Sequence, residues 1–212
     1  MLDLTRKLCS LPGVSSREEA VREFIAQTIR PYVKWMKVDA MGNLIAFKEG
    51  KKHTGSKLLL DAHMDEVGVM VTGYTEQGCL RFAFVGGVDR RVVIGKRVRL
   101  ESGIPGVVGA KPIHLQSAAD RDTVLEYDKL YIDIGAASRE EAMQHVQLGD
   151  FATFDSGFYA YGGGKVASKA LDDRVGCLLL LELLHKPLPY DITVAFTAQE
   201  EIGGAAGNAA FA

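Results

Sequence analysis

The sequence predicts an α/β fold: a mixed sheet flanked by helices, with a small β-barrel inserted between its two halves. Three observations predict it. Amphipathic helices and short, continuously apolar strands fill the start of the chain. From Val71 to Tyr161 the texture changes to short alternating strands broken by glycine turns. Beyond Val166 the helix and buried-strand texture returns. The expected division is therefore 1–70 with 163–212 as the α/β unit, and 71–162 as a small antiparallel barrel or sandwich, the barrel preferred.

Each element has a local reason. Leu2 to Ser10 reads as a short helix stopped by Pro12-Gly13. Ser16-x-x-Glu19 has the spacing of a capping box, and Val21, Phe24, Ile25 and Ile29 follow at helical spacing up to Pro31. Val33 to Val38 and Leu44 to Phe47 read as strands around a turn at Met41-Gly42-Asn43. Lys57 to Ala62 is a short apolar run, suited to a buried strand. The barrel strands are expected at Leu80–Val85, Arg97–Leu100, Val107–Gly109, Leu130–Ile134 and Phe151–Phe154, with one helix opened by Ser138-x-x-Glu141. Gly162-Gly163-Gly164 reads as a hinge back to the first unit, since no phosphate-loop spacing surrounds it. Arg174 to His185 is an apolar helix, and Ile192 to Thr197 another buried strand.

Composition excludes several function classes. Apolar residues make up 47% of the 212 residues, enough for a real core. A net charge of −2 without a basic patch argues against nucleic acid as a partner. The longest apolar run, Cys177 to Leu181, is far too short to span a membrane, and the charged N-terminus does not resemble a signal peptide. Three scattered cysteines, Cys9, Cys79 and Cys177, suit small core residues in a reducing cytoplasm.

Three acidic clusters carry the chemistry. Asp61-Ala62-His63-Met64-Asp65-Glu66 follows a buried strand, and residues two apart in an extended segment face one side, so His63 and Asp65 can share a site. Alone, such a pair is more often a polar strand end. Asp172-Asp173 precedes a helix; one Asp is a natural N-cap, but a second adds like-charge repulsion that a divalent cation would relieve. Gln199-Glu200-Glu201 follows another buried strand, and ligands of open α/β sheets bind at the carboxyl ends of strands. Together the clusters offer one imidazole and several carboxylates, a set suited to Zn²⁺, Co²⁺ or Mn²⁺. With no nucleophilic Ser or Cys arrangement among them, water activated by metal and by a neighbouring carboxylate fits best.

Leu60-Asp61-Ala62-His63-Met64-Asp65-Glu66-Val67-Gly68, Ser168-Lys169-Ala170-Leu171-Asp172-Asp173-Arg174-Val175-Gly176 and Gln199-Glu200-Glu201-Ile202-Gly203 together resemble the glutamyl/deblocking aminopeptidases. That family includes the tetrahedral aminopeptidases and some members labelled endoglucanases. Lesser matches are Gly86-Gly87-Val88-Asp89, Gly109 to His114 and Asp133 to Ala136. The resemblance implies a zinc-peptidase-like sheet, peptide substrates and two divalent ions per subunit, zinc or cobalt with manganese as an alternative, about 3.5–4 Å apart. It implies that His63 and Glu201 each hold one metal, Asp172 bridges both, Glu200 is the general base and Asp65 orients His63. It implies a cis Asp172–Asp173 peptide, a barrel that forms dimers, and homo-oligomers up to a dodecamer.

The sequence departs from the family at its end. The family adds an aspartate ligand after the paired glutamates and a histidine ligand near the C-terminus; here no Asp follows Asp191 and no His follows His185. Each ion would keep two ligands where a catalytic zinc usually has three. The 212 residues alone are therefore expected to bind metal weakly and to be inactive, as a fragment or as a chain completed by a partner. Two other readings stand beside this one. The first is a truncated assembly module. The second is a glycoside hydrolase using paired carboxylates, which the 8% aromatic content and single tryptophan, Trp35, support poorly.

Overall fold

A computed structural model describes residues 1–53, 58–115 and 123–203. They divide into two units, 1–66 with 157–212 and 67–156.

The first unit opens with α1 (Leu2–Ser10), α2 (Glu19–Ile29), β1 (Trp35–Val38), β2 (Leu44–Lys48) and β3 (Leu59–His63). The expected start of β3 at Lys57 lies outside the described residues. The capping box at Ser16 does not form. Ser16 has φ +72°, no side chain caps α2, and Glu18 instead accepts the Ser16 amide at 2.8 Å. The cause is long-range: the Glu18 carboxylate is drawn inward and also accepts the Gln199 amide at 3.0 Å.

The second unit is a closed six-stranded barrel in the order β4-β5-β8-β7-β6-β9. Its strands are β4 (Gly68–Tyr74), β5 (Leu80–Val85), β6 (Arg97–Leu100), β7 (Pro105–Ala110), β8 (Leu130–Asp133) and β9 (Phe151–Phe154). Closure through β9, which pairs with both β4 and β6, leaves no free strand edge. Val69, Val71, Leu80, Val98, Leu100, Val108, Leu130 and Ile132 fill the interior. Helix α3 (Arg139–His145) is capped as its sequence predicts: Ser138 Oγ accepts the Glu141 amide at 3.2 Å, and Glu141 accepts the Ala137 amide at 2.8 Å.

The chain then returns through the hairpin of β10 (Tyr159–Tyr161) and β11 (Lys165–Ala167), followed by α4 (Leu171–Leu184) and β12 (Ile192–Thr197). Both borders fall earlier than the sequence reading placed them. Gly68 to Met70 pair with β5 and β9 and so belong to the barrel. Gly162 to Gly164 are not a hinge but the turn of the β10–β11 hairpin, with Gly163 and Gly164 both at φ +73°.

The open sheet of the first unit has the order β1-β2-β12-β3. β12 runs antiparallel to β2 and parallel to β3, with Thr197 opposite His63. Leu8, Val21, Ile25 and Ile29 from α1 and α2 pack with Cys177, Leu181 and Leu184 of α4 over Leu44, Ala46, Val194 and Phe196 of the sheet. Each of the Val, Leu, Ile and Phe side chains among them stabilises the fold by about 1.5–3 kcal/mol when fully buried. Among the described residues, no helix is long and apolar enough to cross a membrane.

Candidate metallopeptidase site

The parallel pairing of β3 with β12 decides where the acidic clusters meet. Two parallel neighbours end on the same side of the sheet, so the segments after His63 and after Thr197 leave it together. The third cluster arrives from the start of α4. The Asp172–Asp173 peptide is cis, as the family resemblance implies, and neither residue has helical dihedrals. Asp173 Oδ1 accepts the Gly176 amide at 2.8 Å and so serves as the true helix cap. Gly176 has no room for a side chain there, since a Cβ would lie 2.4 Å from Asp173 Oδ2. With Asp173 occupied, Asp172 turns outward. Its carboxylate is 91% exposed and lies 3.1 Å from His63 Nε2. The two aspartates thus divide the work that the sequence left ambiguous.

His63 faces carboxylates on both sides. Nε2 lies 3.1 Å from Asp172 and 3.9 Å from Glu200, while Nδ1 lies 3.2 Å from the Asp65 carbonyl and 3.4 Å from Asp65 Oδ1. Burial pulls the imidazole pKa down, but Asp65, Asp172 and Glu200 outweigh it and push it up to about 9. The Glu201 carboxyl is raised by burial; His63 lowers it in part, and Asp65, Glu200 and Asp172 raise it further. An excess of carboxylates around a single imidazole is an environment in which a cation is favoured. Among the described residues, however, no group of three or more His, Cys, Asp or Glu side chains is arranged to hold a metal ion. The donor chemistry of these side chains, one imidazole with several carboxylates, suits a divalent metal.

Beneath these groups lies a fully buried hub. Asp65 is 0% exposed and accepts the Ser15 hydroxyl at 2.6 Å, the Glu200 amide at 3.0 Å and the Glu201 amide at 3.1 Å. Burial would raise its carboxyl, but His63, Ser15 and these amides hold it below the usual range. Arg174 is equally buried and donates to the carbonyls of Met64 and Leu8, both at 2.6 Å. It thereby grips the residue between His63 and Asp65. Lys169 donates to Glu66 at 2.6 Å and to the Leu11 carbonyl at 2.9 Å, and its burial lowers its pKa. All five residues singled out from the sequence, His63, Asp65, Asp172, Glu200 and Glu201, thus gather at one end of the sheet. Ser15, Glu18 and Asn43 were missed there. Ser15 and Glu18 sit where the sequence suggested a helix start, and no local pattern announces bonds to residues far along the chain.

The M42 glutamyl aminopeptidase family profile matches residues 42–212. This chain belongs to that family. It is 32% identical over 209 residues to the lysyl aminopeptidase of Pyrococcus furiosus, covering 95% of this chain and 60% of that protein. Among solved structures it is similar to the Pyrococcus horikoshii TET1 peptidase, at 40% identity and a TM-score of 0.83, covering 95% of this chain and 62% of the other. It is also similar to an aminopeptidase from the archaeon Desulfurococcus kamchatkensis, at 35% identity and a TM-score of 0.87, covering 95% and 56%. The chain spans about three fifths of the length of these relatives.

Proposed function

We propose that the protein carrying this sequence is a metal-dependent aminopeptidase that removes N-terminal residues from peptides. The observation that carries the reading is the gathering of His63, Asp172 and Glu200 where β3 and β12 end side by side. His63 and Asp172 would hold one ion, and Asp172 and Glu201 the other, with zinc or cobalt preferred to manganese. The remaining aspartate and histidine ligands would come from outside the described residues. When bound, two divalent ions polarise a carbonyl and make water a nucleophile at neutral pH.

The chain's own groups do the rest. Asp65 fixes the His63 ring through its Nδ1 edge and leaves Nε2 for coordination. Glu200 accepts a proton from the attacking water and delivers it to the leaving amine as the C–N bond breaks. Glu200 stands beside this imidazole on a turn that Asp65 itself holds. The N-terminal residue preferred does not follow from kinship, because the family name says glutamyl and the Pyrococcus furiosus relative is lysyl. The P. horikoshii relative is described as assembling into a tetrahedron or a large octahedral shell. A homo-oligomer built through the barrel is the corresponding proposal here, in a cytoplasmic setting that the free thiols of Cys9, Cys79 and Cys177 suit.

The test compares the full chain with the 212 residues alone. After chelation, the full chain should regain release of chromophore from aminoacyl-anilides on addition of Co²⁺ or Zn²⁺. The 212 residues should bind metal weakly and hydrolyse little. Full activity after exhaustive chelation would refute metal dependence, and robust hydrolysis by the 212 residues would show the ligands to be misassigned.

A further inference from the structure

Four consecutive backbone amides leaving β12 each end on a side-chain oxygen from elsewhere in the first unit. Ala198 donates to Asn43 Oδ1 at 2.8 Å and Gln199 to Glu18 Oε1 at 3.0 Å. Glu200 and Glu201 donate to the two oxygens of Asp65. These amides lie past the end of the strand ladder and at the start of the 3₁₀ turn Glu200–Ile202, where backbone donors have no partner within the element. Side chains therefore decide the path of this turn. Asp65 belongs to the site already, but Glu18 does not. It comes from the strap before α2, is 2% exposed, and spends one carboxylate oxygen on two amides, those of Ser16 and Gln199.

The amide that Glu18 holds is the pivotal one. Gln199 has φ +61°, a left-handed conformation that non-glycine residues seldom adopt, and it directly precedes Glu200. Its hydrogen bond fixes the peptide plane at which the chain turns out of β12, and so the direction in which the next side chain points. A carboxylate accepting amides makes stronger bonds than a neutral acceptor. We propose that Glu18 is a positioning residue for the general base: its carboxylate holds the Gln199 amide and thereby aims Glu200. This rests on the reading of Glu200 as the base.

The experiment uses the full chain with Glu18→Met, which keeps the side chain's bulk and removes both acceptors, and Glu18→Gln, which keeps an acceptor oxygen. Hydrogen exchange of the Gln199 amide is followed alongside kcat, KM and bound metal. Glu18→Met should speed Gln199 exchange at least tenfold, an order of magnitude expected for an amide that loses its partner. It should lower kcat about 10- to 100-fold, with KM and metal content close to those of the parent. Glu18→Gln should restore most of both losses, which a purely space-filling role would not predict. Unchanged kcat and protection in Glu18→Met, or equal losses in both variants, would overturn the proposal. If Glu18→Met does not fold, the unsubstituted chain decides: its Gln199 amide should be protected like those of β12, and exchange as fast as an exposed loop would overturn the role of Glu18. A full chain that hydrolyses no anilide would sink the aminopeptidase reading, while the exchange measurements would still judge Glu18.

Discussion

The two units of this chain solve the problem of polar groups in opposite ways. Within 67–156, Thr153 is the one polar side chain found buried among the described residues. The charges of that unit stay nearer its surface in pairs such as Arg99 with Asp155 and Arg91 with Asp89. The α/β unit instead buries Glu18, Asn43, Asp65, Glu66 and Arg174. Burying an unpaired polar group costs several kcal/mol; each of these side chains makes hydrogen bonds, with only Arg174 Nη2 left without one among the described residues, and five of those bonds run to the strand ends that carry His63, Glu200 and Glu201. The barrel's interior is filled almost entirely by apolar side chains. The α/β unit accepts an electrostatic burden, and its location marks the site.

That contrast can be broken most severely at Arg174. Arg174→Met should destabilise the first unit by about 3–5 kcal/mol, because Glu66 and the carbonyls of Met64 and Leu8 lose a buried donor. Urea unfolding measures it, and a loss below about 1 kcal/mol would mean that the network is dispensable. Next in size is Asp65→Asn. It keeps the shape but weakens the hold on His63, and metal affinity of the full chain should fall about 10- to 100-fold by metal titration. The matching change in the barrel is Arg91→Ala, at an exposed ion pair with Asp89, and it should leave stability nearly unchanged in the same urea assay. A loss there as large as at Arg174 would erase the distinction between the units.

The smallest effect concerns pH. Burial raises the Glu18 carboxyl above its ordinary value, against the pull of the Ser16 and Gln199 amides. The folded chain therefore binds this proton more tightly than the unfolded chain does. The resulting stability is present at low pH and is lost as pH rises from the unfolded carboxylate range through the raised folded value. Glu18→Gln should flatten that part of the profile, seen as a smaller change in urea midpoint between about pH 4 and pH 7. An unaltered profile would show that Glu18 does not titrate in this window.

What was legible in the sequence follows the same division. His63, Asp65, Asp172, Glu200 and Glu201 were readable because each lies in a short motif beside a buried strand or helix, and proximity along the chain carried the signal. The barrel's strands were readable from alternation, but its closure through β9 and its first strand were not. Gly68-Val69-Met70 continues directly from the acidic motif and shows no break in texture. Ser16 misled because a capping box is a local pattern, whereas Glu18 answers to Gln199, far along the chain. Asn43 looked like an ordinary turn residue, and only the fold brings Ala198 to its side-chain oxygen.

The central claim is that Glu200 moves the proton while other residues hold the metal. In the full chain loaded with Co²⁺ or Zn²⁺, Glu200→Gln removes the base but no ligand. Hydrolysis of aminoacyl-anilides should fall by about 10²–10⁴-fold with metal content unchanged. Full activity in that variant would contradict the assignment of the base, and loss of metal along with activity would move Glu200 into the ligand set.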